Sequence, residues 1–217
     1  MADREVLRAQ LLPGIQQLGL MLSSTQIDLM LDYLALLVKW NSVYNLTAVR
    51  DPSDMIRQHL LDSLSVVNAF QSAKNVLDVG SGGGLPGIIL AIVYPACAVS
   101  LIDTVSKKTA FLTQVKAELK LNNLTVYTGR VEQLRVQQKF DVITSRAFSE
   151  LANFVQWSAH LLADDGQFIA MKGQLPKTEI EHLPAGWNVV SIEALSVPGL
   201  DAARHLLTIK NTQSVHA

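Results

Sequence analysis

The 217-residue sequence predicts an α/β fold, a mainly parallel sheet of seven strands covered by helices on both faces and preceded by a helical cap. Three observations carry that prediction. From about Asn75 onward, short apolar runs alternate with longer helical ones, the pattern of parallel strands joined by crossover helices. Residues 1 to about 70 instead show apolar residues at helical spacing. A glycine-rich turn directly follows the first strand run, where a doubly wound sheet places its crevice.

The elements follow in order. Ile27, Met30, Leu31, Leu34 and Val38 make one face of a helix, and Ser23 with Gln26 three residues on resembles a capping box at its start. A further helix is predicted over about 54–69, after Asp51-Pro52. Strands are predicted at 75–79, 98–103, 124–128, 140–145 and 167–171, with a closing pair at 187–195 and 205–210. The intervening helices fall at 86–94, 107–121 and 151–162. Pro86 stands in the first turn of its helix, where a missing N–H is harmless. The change of texture divides the chain into a helical cap, 1–70, and a sheet domain, 71–217. No linker-like or low-complexity tract separates them, so they are expected to pack as one globular unit.

Composition narrows the function classes. Apolar residues make up 49% of a chain long enough to bury a substantial core, which argues against disorder. The net charge of −1 is not the basic excess of a typical RNA-binding module, yet it allows a local basic rim around one pocket. Cys97 is the only cysteine, so neither an intrachain disulfide nor a cysteine zinc site can form. The charged start, residues 1–5, lacks the apolar core of a signal peptide. The longest apolar stretch, Ile88 to Ile102, is interrupted by Pro95 and Ser100 and is shorter than the ~20 residues that span a bilayer. A cytoplasmic protein is expected, and the Asn-x-Thr triplets at Asn45 and Asn123 are read as chance matches. The residues leave the oligomeric state open, with a monomer as the default.

The sharpest motif is Val76-Leu77-Asp78-Val79-Gly80-Ser81-Gly82-Gly83-Gly84-Leu85-Pro86-Gly87. Glycines allow positive φ and close approach of a ligand to the backbone. Gly82, Gly84 and Gly87 match the dinucleotide spacing, but that frame leaves too long a turn after the strand. The frame Asp78-x-Gly80-x-Gly82-x-Gly84 fits better. It sets a carboxylate beside the turn, which would repel a pyrophosphate but suits a cation such as the sulfonium–amino acid end of S-adenosylmethionine. Asp103 ends the second strand, 23 residues after Gly80, where an acid can accept both ribose hydroxyls of an adenosine. Glu132 follows the third strand in Gly129-Arg130-Val131-Glu132, on the loop expected to flank the adenine, with Val131 against its face. Glu132 can equally be a charge at a helix start.

These residues carry a resemblance. Trp40-Asn41-x-x-x-Asn45-Leu46-Thr47, His59-Leu60-Leu61-Asp62-Ser63-Leu64, the turn ending in Leu85-Pro86-Gly87, Arg130-Val131-Glu132, Ser145-Arg146-Ala147, Lys172-Gly173 and Arg204-His205 resemble the ribosomal RNA small subunit methyltransferase G family, formerly called glucose-inhibited division protein B. The resemblance covers nearly the whole chain. Glycine stands at position 83, where proline is frequent in the family. The resemblance implies a Rossmann-like class I S-adenosylmethionine-dependent methyltransferase that acts on N7 of guanosine 527 in 16S ribosomal RNA, free or in the small subunit. It also implies cofactor contacts at Gly80, Leu85, Val131, Glu132 and Arg146.

Chemistry agrees with that implication. Guanine N7 already carries a lone pair, so its methylation needs no general base, and the sequence offers no strong candidate for one. Amino-group methyltransferases usually carry Asn/Asp-Pro-Pro-aromatic after the fourth strand, whereas this chain has Thr144-Ser145-Arg146-Ala147-Phe148. Cys97, between a helix and the second strand, is read as buried and inert. Positioning is left as the main source of rate. Arg130, Arg146, Lys172 and Arg204 adjoin strand ends and are the candidates to hold RNA, with Arg50, Arg57, Lys107 and Lys108 extending the rim. His59 and Asp62, three apart on a helix, are expected to pair structurally, and no third ligand gives metal spacing. Trp40 and Asn45 are read as structural. A small-molecule methyltransferase on the same fold, a dinucleotide-dependent oxidoreductase and a non-catalytic RNA-binding protein are the competing readings.

Overall fold

The computed structural model describes residues 3–146 and 149–212. Its helical part begins with α1 (Arg4–Gln17) and α2 (Ser24–Tyr44). The predicted capping box is present: the Ser23 side chain accepts from the Gln26 backbone N–H, and the Gln26 side chain accepts from Ser23 N–H. The predicted face is buried at Ile27, Met30, Leu31 and Leu34, and it extends to Tyr33 and Leu37. The next helix is not the regular one expected. It starts at Asp51, whose side chain caps α3 (Pro52–Met55), then runs through a π-helical turn at Ile56–Leu61 into α4 (Asp62–Leu64). A 3-10 turn at Val67–Phe70 leads into the sheet. Asp51-Pro52 marks the start of the helix, but nothing local marks the widened turn.

The seven strands are β1 (Asn75–Val79), β2 (Ala98–Asp103), β3 (Leu124–Thr128), β4 (Phe140–Arg146), β5 (Leu162–Lys172), β6 (Trp187–Ala194) and β7 (His205–Asn211). They lie in the order β3-β2-β1-β4-β5-β7-β6. The first five in that order are mutually parallel, and β7 runs antiparallel between β5 and β6. The order reverses between β1 and β4, the switch point at which open α/β sheets bind ligands. Helices α5 (Gly87–Val93), α6 (Ser106–Glu118), α7 (Leu151–Ser158) and α8 (Lys177–Glu181) complete the fold. The sequence pattern did not reveal α8, a short, unburied helix.

One apolar core runs without interruption from α1 and α2 through the π turn to α5, α6 and one face of the sheet, and a second fills the opposite face around Phe154 and Phe168. Polar contacts pin the helices to the sheet as well. The Gln26 amide donates to the Ile92 and Val93 carbonyls at 3.2 and 3.1 Å, satisfying the end of α5. Trp40 packs between Tyr44 and Phe111 and ties α2 to α6. Asn45 takes a left-handed conformation (φ 51°) that ends α2, and its side chain accepts from Arg50. Among the described residues, no helix is long and apolar enough to cross a membrane, and no cluster of side chains could hold a metal.

Candidate active site

The glycine turn lies between β1 and α5, at the switch point. Gly80, Gly82 and Gly84 all have positive φ, at 67°, 57° and 92°. Their tasks differ. A Cβ on Gly82 would meet only the Gly80 carbonyl, at 3.9 Å, so there the need is for conformation and open space. A Cβ on Gly84 would stand 2.6 Å from Ile88 and Leu112. One on Gly87 would stand 2.1 Å from Leu101, because α5 lies directly on β2. The cap holds the turn from above: the fully buried Tyr33 hydroxyl donates to the Gly83 carbonyl at 2.7 Å. Sequence reasoning missed this contact, since Tyr33 reads as one more residue of an apolar helix face.

Two cavities open from the turn, and Gly80 lines both. The first, about 390 Å³, lies over the ends of β1, β2 and β3. Asp103, Lys108, Arg130, Val131, Glu132 and Trp157 line it. Asp103 is nearly buried and already organised: it accepts from Gly82 N–H at 3.0 Å and from Val105 N–H at 2.9 Å. A carboxylate has about four lone-pair sites, so capacity remains for hydroxyls in the cavity. Lys108 stands 3.5 Å from the same carboxylate. Val131 is buried and Glu132 half-buried in a short 3-10 turn after β3. Arg130 is exposed, 4.0 Å from Glu132.

Asp78 is not where the motif frame put it. Its carboxyl lines neither cavity but lies fully buried beneath the turn, where Oδ2 accepts from Gly87 N–H at 3.0 Å and Oδ1 has no partner among the described residues. Burial pushes its pKa up to about 7. Gly84 likewise lines neither cavity. The spacing of Asp78 was legible, but its direction was not, because the side chain turns under the helix that the turn opens.

The second cavity, about 430 Å³, is built by both parts of the chain. Leu37, Leu46, Thr47, His59 and Asp62 come from the cap, and Arg146, Lys172 and Arg204 from the ends of β4 and β5 and the approach to β7. His59 and Asp62 do not pair as expected. His59 Nε2 lies 2.8 Å from Thr47 Oγ1, and Nδ1 has no partner among the described residues. Burial, reinforced by the Arg146 charge, holds His59 below the usual histidine pKa and therefore neutral. Asp62, nearly buried, instead receives Arg204 Nε at 2.7 Å and Arg146 Nη1 at 3.1 Å. Arg146 also donates to the Gln58 carbonyl at 3.2 Å.

The other expected rim cations are less available. Lys172 lines the cavity, but its ammonium contacts Glu179 at 2.7 Å and the Ser149 carbonyl at 2.9 Å. Arg57 pairs with Asp54, and Arg50 donates to the Asn41 carbonyl and to Asn45. Lys107 is exposed on α6. Cys97 is buried, its thiol pushed up to about 11 by burial. Ala147 and Phe148 lie outside the described residues.

The profile of the rRNA small subunit methyltransferase G family matches residues 26–207. The ribosomal RNA small subunit methyltransferase G of Janthinobacterium sp. (strain Marseille) is 63% identical over 214 residues, 97% of each chain. That of Herminiimonas arsenicoxydans is 63% identical over 212 residues, 96% of this chain and 97% of the other. Among solved structures, the N-methyltransferase NodS of Bradyrhizobium japonicum WM9 in complex with S-adenosyl-L-homocysteine matches with a TM-score of 0.55 at 14% identity, over 80% of this chain and 98% of that one. Coclaurine N-methyltransferase, bound to N-methylheliamine and S-adenosyl-L-homocysteine, matches with a TM-score of 0.55 at 14% identity, over 89% and 74%. At such identity the likeness is one of fold, that of the class I methyltransferases. The profile and the full-length relatives carry the family: this chain belongs to the ribosomal RNA small subunit methyltransferase G family.

Proposed function

We propose that this methyltransferase takes its methyl group from S-adenosylmethionine and delivers it to N7 of guanosine 527 in 16S ribosomal RNA. One observation supports this most directly. A cavity with an acid and an apolar wall lies beside a second cavity that holds two arginines, the two sharing Gly80. A nucleoside-bearing donor and a phosphate-bearing acceptor need that adjacency.

The residues present fit the cofactor. The positive φ of Gly80 and Gly82 and the space above Gly82 leave the backbone open to close approach. Asp103 offers acceptors for two ribose hydroxyls, Val131 an apolar face for adenine, and Glu132 a further contact that the family implies. Leu85 and Arg146, which the family also implies, line the second cavity, and in this reading Arg146 serves the RNA. Asp78, fully buried beneath the turn, braces it through Gly87 N–H and does not face either cavity. When bound, S-adenosylmethionine supplies an electrophilic methyl group. The chain's own task is to hold guanine N7 in line and to keep the charge balanced. Positioning of that kind is worth up to roughly 7–11 kcal/mol. N7 carries no proton to remove, which agrees with a neutral His59 and a doubly ion-paired Asp62 in the acceptor cavity. In this reading residues 1–70 serve as a cap that closes one side of the acceptor cavity, Arg146, Arg204 and Arg130 meet the RNA, and the enzyme works in the cytoplasm as a monomer.

The test is methyl transfer from labelled S-adenosylmethionine to unmodified 16S RNA and 30S particles, with the product nucleoside identified. Label recovered as 7-methylguanosine at one position is the expected result. Label in another nucleoside would overturn the choice of atom, and none in either substrate would overturn the choice of acceptor.

A further inference from the structure

One carboxylate, Asp62, serves two arginines, one at the end of β4 and one just before β7, two strands apart in the sheet. It sits just after the π turn, with its side chain 3% exposed. Arg146 ends β4 and Arg204 precedes β7, 142 residues from Asp62. Each carboxylate oxygen takes one guanidinium, Oδ1 from Arg204 and Oδ2 from Arg146. Backbone carbonyls take a second N–H from each, Gln58 from Arg146 Nη1 and Ala203 from Arg204 Nη1. Among the described residues, nothing pairs with Nε and Nη2 of Arg146 or with Nη2 of Arg204, and both side chains line the acceptor cavity, a quarter exposed. Both guanidiniums are thus fixed on their inner edges and left with open donors.

Two like charges this close repel each other, and a shared anion is what holds them at one separation. Arginine's planar fork makes orientation as important as position. The pair is therefore set for a fixed target rather than for any nearby phosphate. The anion also lowers the charge presented to RNA by one. A residue kept only to bind RNA would not do that.

Building on the methyl-transfer reading above, we propose that Asp62 is a positioning residue for the reaction: it fixes the separation and orientation of Arg146 and Arg204, and through them the alignment of the target nucleotide. The carboxylate itself needs no contact with substrate. Its loss acts on turnover and not on RNA attraction, because both cations remain and the cavity becomes more positive.

The experiment is steady-state methylation of 30S particles by wild type, Asp62→Asn and Asp62→Glu, with S-adenosyl-L-homocysteine binding and thermal melting measured on each. Asn keeps one acceptor and loses the charge, so it can orient only one guanidinium. Asp62→Asn is expected to lower kcat about 10–100-fold, as a misplacement of about 1 Å does, with KM for the particle unchanged or lower and S-adenosyl-L-homocysteine binding retained. Asp62→Glu, which keeps the charge, is expected to recover part of kcat. In the Arg146→Ala/Arg204→Ala background, Asp62→Asn should cost no further turnover. A kcat within twofold of wild type overturns the inference, and so does a raised KM at unchanged kcat. If Asp62→Asn loses its melting transition, Asp62→Glu is read by the same split, and equal losses in kcat and cofactor binding would make Asp62 a structural residue only. Wild type that methylates no ribosomal substrate would remove the underlying reading itself, a different result from active wild type with an indifferent variant.

Discussion

Over β1, β2 and β3 the crevice is walled by backbone and by acids that stand at strand ends; over β4, β5 and the approach to β7 it is walled by long side chains from well-separated stretches of chain. The first half is dictated locally. Gly80, Asp103 and Val131 each lie within a few residues of a parallel strand's end, so the sheet brings them together once it forms. The second half needs residues far apart along the chain to meet, since Asp62 must contact both Arg146 and Arg204. A pocket of the first kind suits a ligand shared by many enzymes of one fold, and a pocket of the second kind can be specific to one acceptor.

The surroundings of the crevice also bury titratable groups of opposite behaviour, which gives the largest predicted effect. Asp78, beneath the glycine turn, has its pKa raised to about 7 from 3.8. Its contribution to stability is fully present below the unfolded value, falls as pH rises toward 7 and is level above it. The integrated loss is about 4 kcal/mol. Asp78→Asn keeps an acceptor for Gly87 N–H and removes the titration, so denaturant midpoints measured from pH 4 to 8 should lose that part of their slope. His59, in the acceptor half, is shifted the other way. Its contribution is lost as pH falls through the ordinary histidine range, and His59→Gln should flatten only that acidic arm. Profiles unchanged in both variants would mean that neither site is as dry as its burial indicates.

Much of this was legible beforehand, and the boundary is physical. The five parallel strands were readable because buried parallel strands are continuous apolar runs, and the antiparallel β6 and β7 were readable as a closing pair. The glycine frame was readable because positive φ selects glycine. The inward turn of Asp78, the hydrogen bond from Tyr33 to the Gly83 carbonyl and the pairing of Asp62 with two arginines were not. Each depends on where a side chain points after packing, and spacing along the chain carries no record of that. His59 and Asp62 show the limit well: helical spacing put them on one face, and tertiary partners on other elements claimed them both.

If the halves are separable, variants should sort by half. Arg146→Ala should reduce kcat/KM for 30S particles roughly 100-fold, the scale of losing one positioned group. Its affinity for S-adenosyl-L-homocysteine, measured by calorimetry, should stay near that of wild type. Gly82→Val should act chiefly on the cofactor, because Gly82 N–H holds Asp103 even though the residue itself lines the second cavity. A β-branched residue at φ 57° is strained by roughly 1–3 kcal/mol, enough to weaken cofactor binding about tenfold or more while RNA binding persists. A Gly82→Val protein with unchanged cofactor affinity would show that the frame of the turn is wrong. An Arg146→Ala protein that loses both ligands together would show that the division at Gly80 is not functional.

The smallest effect probes how far the RNA extends. Arg130 is a cation of the cofactor half, with its side chain 71% exposed and its nearest acid, Glu132, at 4.0 Å. It stands on the loop that follows β3, on the far side of Gly80 from Asp62. If the RNA crosses both halves, Arg130 meets a phosphate, and that contact releases counterions. Arg130→Ala should then lower the salt slope of RNA binding by about 0.7–0.9 and weaken binding evenly across sequences, with kcat at saturating substrate unchanged. If the RNA is confined to the acceptor half, the slope stays as in wild type and any effect falls on S-adenosyl-L-homocysteine affinity instead. The two results separate a substrate that covers the bound cofactor from one that reaches it from a single side.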